Sequence, residues 1–459
     1  MNDLLLTYYG DDFTGSTDAL EALSSGGVRS VLFLAPPTAA LIEARFSEAR
    51  AVGLAGMSRT MTRQEMDAAL PEAFMALKRL GAPLCHYKVC STFDSSPAIG
   101  SIGHATEIGY RIFEPPFVPL VVGAPALKRY VLFGHLFATV GDETFRLDRH
   151  PTMSRHPVTP MHESDLRCHL GQQTALNIDL VDVLALEGPS EAADGALQRA
   201  LDGGAQIVLF DTLNGSHQEK IGRLVWQRCQ EAPLFAVGSS GFEYAMAAYW
   251  RAAGVVAGAT PYAAAGAVDS VLVVSGSASP VTAEQIRWAL AHGFVGMRLD
   301  VLRLLDPETS GNECRKVCAE ASAALAAGQS VVLFSAMGPD DEAIVKASGA
   351  EQASAAVSGE VSRSLGAVQG RITRAIIENS NVRRVCVAGG DTGGHVVQQL
   401  EVFALEMLAP IAPGGPLCLA HSQRSQMDGL ELALKGGQLG QMDYFGRLLG
   451  ATEMNVELP

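Results

Sequence analysis

The sequence predicts an α/β fold of two domains with mostly parallel sheets and an active site in the interdomain cleft. Three observations predict it. The 459 residues exceed what one ordinary core accommodates. Short apolar runs alternate with amphipathic stretches along the chain, the grammar of strands covered by helices on both faces. An uncharged Gly/Ala-rich stretch, residues 254–268, interrupts that grammar once and reads as a linker. The expected division is therefore 1–253, a linker at 254–268, and 269–459. With 48% apolar and 18% charged residues, the composition suits large buried cores rather than disorder.

In chain order, the apolar run 4–9 ends at Gly10-Asp11-Asp12, and a helical pattern follows until Gly26-Gly27 stops it. Runs 30–35 and 51–55 read as strands. Thr62-x-x-Glu65 is a capping box opening the next helix. Further strands are expected at 84–90, 118–122, 130–133, 206–210 and 234–237, with Ser216-x-x-Glu219 capping a helix. After the linker the pattern restarts with strands at 270–274, 295–299, 331–334 and 385–387. A helix begins there with Thr282-x-x-Gln285 as its capping box. The segment 141–165 is rich in His, Pro, Arg and Met without periodicity; His150-Pro151, His156-Pro157 and Thr159-Pro160 suggest a substrate lid.

A net charge of −15 argues against nucleic acid, whose phosphates are bound by Lys/Arg fields. No apolar run is long enough for a bilayer span, and no signal-peptide pattern opens the chain, so a cytoplasmic protein is expected. The eight cysteines form no CxxC pair. Cys314 and Cys318 lie one helical turn apart without a second pair, so free thiols are expected. The oligomeric state is left open, a homo-oligomer included.

Chemistry concentrates where strands end, since ligands of parallel sheets sit beyond the carboxyl ends of strands. Asp11 and Asp12 there suit holding a hydroxyl and accepting its proton; an Asp N-cap is the plainer reading. Lys88, Ser91, Thr92, Asp94 and Ser95 offer a cation, hydroxyls and a carboxylate for a polyhydroxy acid, although an ordinary Ser/Thr/Asp turn looks similar. Arg59 offers the bidentate clamp that carboxylates favour. Ser275-Gly276-Ser277 precedes a helix and is a weak anion-site signal. Ala388-Gly389-Gly390-Asp391-Thr392-Gly393-Gly394 reads as a phosphate loop with Asp391 reaching Mg²⁺; it is neither a Walker A loop nor GxGxxG. Lys435-Gly436-Gly437 offers a wall for adenosine or phosphate, and a helix C-cap explains Gly436 equally well.

As an ordered set these motifs resemble the four-carbon acid sugar kinase family along nearly the whole chain. The residues carrying the resemblance are Asp11-Asp12-Phe13-Thr14-Gly15, Ser58-Arg59, Lys88-x-Cys90-Ser91-Thr92-Phe93-Asp94-Ser95, Ile102-Gly103 and His156-Pro157-x-Thr159-Pro160-Met161. Gly238-Ser239-Ser240-Gly241, Ser275-Gly276-Ser277, Gly389-Gly390-Asp391-Thr392 and Ala412-Pro413-Gly414 complete it. The resemblance implies an N-terminal sugar-acid domain and a C-terminal nucleotide domain, with ATP as donor, Mg²⁺ as metal and the terminal hydroxyl of a small sugar acid as acceptor. It implies nucleotide contacts from Ser275, Gly276, Ser277, Gly389, Gly390, Asp391, Thr392 and Gly437. Catalysis then falls to Asp12 with Asp11 in support, and the substrate carboxylate to Arg59 and Lys88.

The wording Cys-Ser-Thr-Phe-Asp-Ser resembles the 3-oxo-tetronate kinases more than the threonate or erythronate kinases. A 3-oxo-tetronate 4-kinase is the leading expectation. Where relatives carry a basic residue before Gly-Asn-Ile-Gly, this chain reads Ser96-Pro97-Ala98-Ile99-Gly100-Ser101-Ile102-Gly103. A branched acid such as 3-oxo-isoapionate is the alternative that departure favours. Two other classes are weighed: a non-catalytic sugar-acid-binding protein, which the Gly389 loop disfavours, and a nicotinamide dehydrogenase, whose fingerprint is missing after the first strand.

Overall fold

In the computed structural model of the chain, residues 4–156, 158–258, 262–338, 341 and 355–450 are described, with the side chains of 355–360, 362 and 391 outside that set. The chain divides between residues 261 and 262 into two compact units. Of the expected linker 254–268, residues 259–261 lie outside the described residues, as does Pro157 of the expected lid.

The first unit is built on strands whose side chains are buried almost without exception, as a parallel sheet covered on both faces requires. They are β1 (Leu6–Gly10), β2 (Ser30–Phe33), β3 (Ala51–Ala55), β4 (Leu84–Lys88) and β5 (Val118–Val121). After an excursion come β9 (Ile178–Val181), β10 (Ile207–Phe210) and β11 (Leu234–Gly238). All pair in parallel, in the order β2-β3-β1-β4-β11-β5-β10-β9. The chain passes from β1 to the outer strand β2, comes back to β3 beside β1, and then crosses to β4 on the other side, so the ends of β1 and β4 flank a topological switch point. The excursion is a separate antiparallel sheet of β6 (Arg129–Leu132), β7 (His135–Val140) and β8 (Glu143–Arg146). Its first strand overlaps the run expected at 130–133, but it pairs with neighbours in sequence rather than with the main sheet.

The second unit repeats the plan. Strands β12 (Leu272–Ser275), β13 (Val295–Arg298), β14 (Val331–Phe334) and β15 (Arg384–Ala388) pair in parallel. The hairpin of β16 (Val402–Ala412) and β17 (Gly415–Ser422) adds antiparallel strands, joined through β18 (Glu431–Lys435). The order β13-β14-β12-β15-β18-β17-β16 puts a second switch point between β12 and β15. Its core gathers Val273, Ile286, Phe294, Val332, Cys386, Leu417, Ala433 and Tyr444.

Three helix starts test the expected caps. Thr62 and Glu65 form the expected reciprocal capping box on the helix Arg63–Lys78. Ser216 does not cap its helix: Asn214 does, accepting from the His217 amide, so the helix Gly215–Cys229 starts earlier. Thr282-x-x-Gln285 is not a capping box either. Pro280 begins the helix Pro280–Ala291, with Ser279 at the cap position, so Thr282 and Gln285 sit inside it and spend their side chains elsewhere. None of the eight cysteines is in a disulfide, and no described helix is long and apolar enough to cross a membrane.

Candidate functional site

At the switch point of the first unit, Asp11 and Asp12 follow β1, Arg59 follows β3, and Cys90 to Asp94 follow β4. Asp12 caps the helix Phe13–Ser25, accepting from the Gly15 amide at 2.6 Å, and so stands where the helix dipole favours an anion. The Arg59 fork closes on Asp11 through Nε at 3.2 Å and Nη2 at 2.9 Å, while its Nη1 reaches Asp12 Oδ2 at 2.7 Å. The Arg59 amide also donates to the Asp11 carbonyl, and Ser58 in the same short turn pairs with the Tyr87 hydroxyl at 2.9 Å. All three guanidinium nitrogens of the clamp expected for a substrate are thus occupied by the two aspartates.

Lys88 ends β4 fully buried, with its ammonium 2.9 Å from Asp18 Oδ2 on the capped helix. Burial works against its charge, but Asp18, then Asp12 and Asp11, more than offset this and hold its pKa above the ordinary value. Burial likewise pushes the Asp11 carboxyl up to about 6, against the pull of Arg59. Gly15 is where these groups converge. A β-carbon there would stand 2.5 Å from Asp12 Oδ1 and 2.9 Å from Lys88 Nζ, so the helix start requires a residue without a side chain.

Beyond β4, Thr92 donates its one hydroxyl proton to Asp94 Oδ1 at 2.5 Å and so accepts from the Cys90 thiol at 2.9 Å. Asp94 is buried, which alone would raise its pKa; Arg59, the Thr92 hydrogen bond and His156 outweigh that and hold it below the usual carboxylate range. His156, in the segment expected as a lid, accepts the Thr159 amide on Nδ1. Ser95 is fixed by His169 and Gln173 at 3.0 and 2.9 Å. Ser91 is partly exposed in the turn before Thr92. Asp11, Asp12, Arg59, Lys88, Thr92 and Asp94 therefore share one electrostatic neighbourhood.

The second unit brings together its own set. Ser275 ends β12 and Gly276 follows it, Gly389 and Gly390 follow β15, and Gly436-Gly437 follow β18. The position after a strand excludes the helix C-cap as the role of Gly436. A β-carbon on Gly276 would lie 2.2 Å from Thr392 Oγ1, and one on Gly437 2.9 Å from Ser277 Oγ. Gly389, at φ +124°, starts the helix Gly390–Gln399 with no side-chain cap. The first-turn amides ahead of Gly393 consequently have no helical carbonyl to meet, the standard setting for a bound anion. Asp391 lies in that turn, and its side chain, the expected Mg²⁺ ligand, is outside the described residues.

Three residues bind this framework from within. Thr282 donates to the Gly437 carbonyl at 2.8 Å, and Gln285 Nε2 spans the carbonyls of Leu439, Gly440 and Gln441. Lys435, with no exposed surface, donates to the Gly436 carbonyl at 2.7 Å, Thr282 Oγ1 at 3.1 Å and the Gly437 carbonyl at 3.4 Å. Burial lowers its pKa to about 8, Cys386 opposing. Gln369 donates to the Ser275 carbonyl and leaves Oε1 buried without a partner beside Gly276.

The residues that the sequence reading passed over are Asp18, Thr282 and Gln285 as loop ties, and Gln369. Asp18 had a readable signal: a lysine closing a buried strand needs a buried acid, and Asp18 and Glu21 are the charged residues of the helix Phe13–Ser25. Gln369 had none, since it joins Ser275 across 94 residues.

Two switch-point crevices, one lined by acids and cations and one by glycines and uncapped amides, define a protein with separate polar-ligand and phosphate-binding units. The profile of the "Sugar-binding N-terminal domain" matches residues 6–246, and that of the "Nucleotide-binding C-terminal domain" residues 272–445. A 3-oxo-isoapionate kinase of Paraburkholderia graminis is 48% identical over 98% of this chain and 96% of its own length. A 3-oxo-tetronate kinase of Pseudomonas fluorescens is 32% identical over 97% and 96%. The chain belongs to the four-carbon acid sugar kinase family. Among solved structures, a Salmonella typhimurium LT2 protein described as a candidate tRNA synthase superposes with a TM-score of 0.76 at 25% identity, covering 97% of this chain and 98% of that one. That likeness concerns the fold.

Proposed function

We propose that this protein is a cytoplasmic ATP-dependent kinase that phosphorylates the terminal hydroxyl of a 3-oxo sugar acid, with 3-oxo-isoapionate as the first candidate. The observation that carries the choice is the 48% identity over 98% of the chain to a 3-oxo-isoapionate kinase. A 3-oxo-tetronate acceptor is the second reading, favoured by the 32% identical relative of equal coverage. Cysteines held outside disulfides suit a reducing compartment.

The residues present fit the nucleotide. Gly276 and Gly389 open space that a side chain would fill, first-turn amides face an anion, and Gln369 Oε1 lacks a partner. Bound ATP would supply the phosphoryl group, with Mg²⁺ screening its charge. Ser275, Gly276, Ser277, Gly389, Gly390, Thr392 and Gly437 would hold the nucleotide, and Asp391 is our assignment for the metal. In the first unit, Asp12 is the base. Its side chain is 17% exposed against 5% for Asp11, so it is the carboxylate a hydroxyl can reach. It would take the proton of the acceptor hydroxyl, while Asp11 holds the Arg59 fork in place. Lys88, Ser91, Thr92 and Asp94 orient the polyol.

The test is ADP release from ATP–Mg²⁺ with 3-oxo-isoapionate, 3-oxo-tetronate, D-threonate and D-erythronate. Turnover with the branched 3-oxo acid at the highest kcat/KM supports the proposal. A higher value for 3-oxo-tetronate replaces the acceptor, and no phosphorylation of any acid refutes the kinase reading.

A further inference from the structure

Arg59 and Lys88, the cations expected to hold the acid, are already neutralised by Asp11, Asp12 and Asp18. An anionic substrate therefore needs another cation, one without a carboxylate of its own. Arg129 opens β6, just past the carboxyl end of β5, and its amide returns to Ala124 at 3.1 Å. Because the main sheet of this unit is parallel throughout, that end lies on the same rim as the ends of β1 and β4.

The Arg129 guanidinium is anchored by one corner only. Its Nη1 donates to the carbonyls of Leu127 at 2.9 Å, Lys128 at 3.2 Å and Thr139 at 3.4 Å. Its Nε is buried without a partner, Nη2 makes no hydrogen bond, and no carboxylate pairs with it among the described residues. The open edge, Nε with Nη2, is the one through which Arg59, Arg146 and Arg167 each grip an aspartate in this same unit. Its charge also acts on Cys90, beside Thr92 and Asp94, and on His150 of the long loop. A buried donor left unpaired is costly, and a ligand carboxylate seated on that edge would satisfy it.

We propose that Arg129 binds the carboxylate of the sugar acid side-on through Nε and Nη2, leaving Arg59 to organise the aspartates and Lys88 to orient the hydroxyls. This rests on the kinase reading above. Arg129 is then a substrate-binding residue and selects acids over neutral polyols.

The full chain tests it with Arg129→Gln and Arg129→Lys, the second keeping the charge and losing the fork. The expected result is a KM for the acid raised about 10- to 100-fold in both, with KM for ATP unchanged, the range a charged hydrogen-bond pair spans. The wild type should prefer the acid to its primary amide, and the Gln variant should lose most of that preference. An unchanged KM for the acid, a preference that survives, or a rise in KM for ATP instead each overturns the assignment. Should the variants fail to fold, arginine modification of the wild type by phenylglyoxal decides: saturating acid must shield Arg129 and ATP must not. Wild-type protein that turns over no acid refutes the kinase reading, whereas turnover with an indifferent Arg129 refutes this inference alone.

Discussion

Asp12 carries two burdens that a substitution can separate. Its Oδ1 caps the Gly15 amide and its Oδ2 meets Arg59. Asp12→Asn keeps an oxygen for the cap and removes the proton acceptor. We expect kcat to fall by about 10²- to 10⁴-fold, the span of general-base catalysis, with Tm little changed; a rate assay beside a thermal melt checks both. Gly15→Ala reverses the pattern, since its methyl would press on Asp12 Oδ1 and Lys88 Nζ. Relieving such crowding costs about 1–3 kcal/mol, and moving either group should raise KM for the acid. The Asp11 carboxyl adds a pH limb. With its folded value about 6, it protonates as pH falls through that point and releases the Arg59 fork, so kcat/KM should drop below about pH 6. A flat profile down to pH 5 contradicts the assignment.

At the scale of elements, the turn after β18 depends on one amine. Lys435 donates to two carbonyls and Thr282, using all three of its protons while charged. Burial places its folded value at about 8, below the unfolded lysine value. Above pH 8 the folded amine is neutral and gives up one donor, so KM for ATP should climb there. Across the window up to the unfolded value only the unfolded chain stays protonated, so stability gains with pH. Lys435→Met should flatten both dependences; equal pH slopes in mutant and wild type would sink the role.

The same turn marks what was legible. Glycines at 389 and 390 announced close backbone approach, and the strand before them was plain from its apolar run, whereas the strand before Gly436, β18, went unread. Thr282 and Gln285 imitated a capping box because the spacing is identical whether the side chains fold back on amides or reach Gly437 and Leu439. Asp11 and Asp12 were legible as strand-end acids, but their partner Arg59 lies 48 residues on, and pairing at that range follows from sheet order rather than local pattern. Strands β7 and β8 escaped because antiparallel strands half-exposed to solvent lack the continuous apolar runs of the parallel strands, whereas β16 and β17 are largely buried and went unread despite their apolar residues.

For the whole molecule, the same plan appears twice: a parallel sheet, a switch point, and polar loops beyond the strand ends, with acids in the first unit and glycines in the second. The chemistry of each loop set assigns a different ligand to each unit, and hydrogen exchange on the intact chain can read that assignment. Ligand at about 100 times its Kd stabilises the form it binds by about 2.7 kcal/mol, which slows opening-limited exchange about 100-fold. With the sugar acid alone, protection should rise over 10–16 and 88–95. With ATP–Mg²⁺ alone it should rise over 275–279, 389–393 and 436–437, the first-turn amides ahead of Gly393 meeting no helical carbonyl otherwise. Protection of the glycine loops by the acid, or of the Asp11–Asp12 turn by the nucleotide, would exchange the two roles and remove the basis for Asp12 as the base.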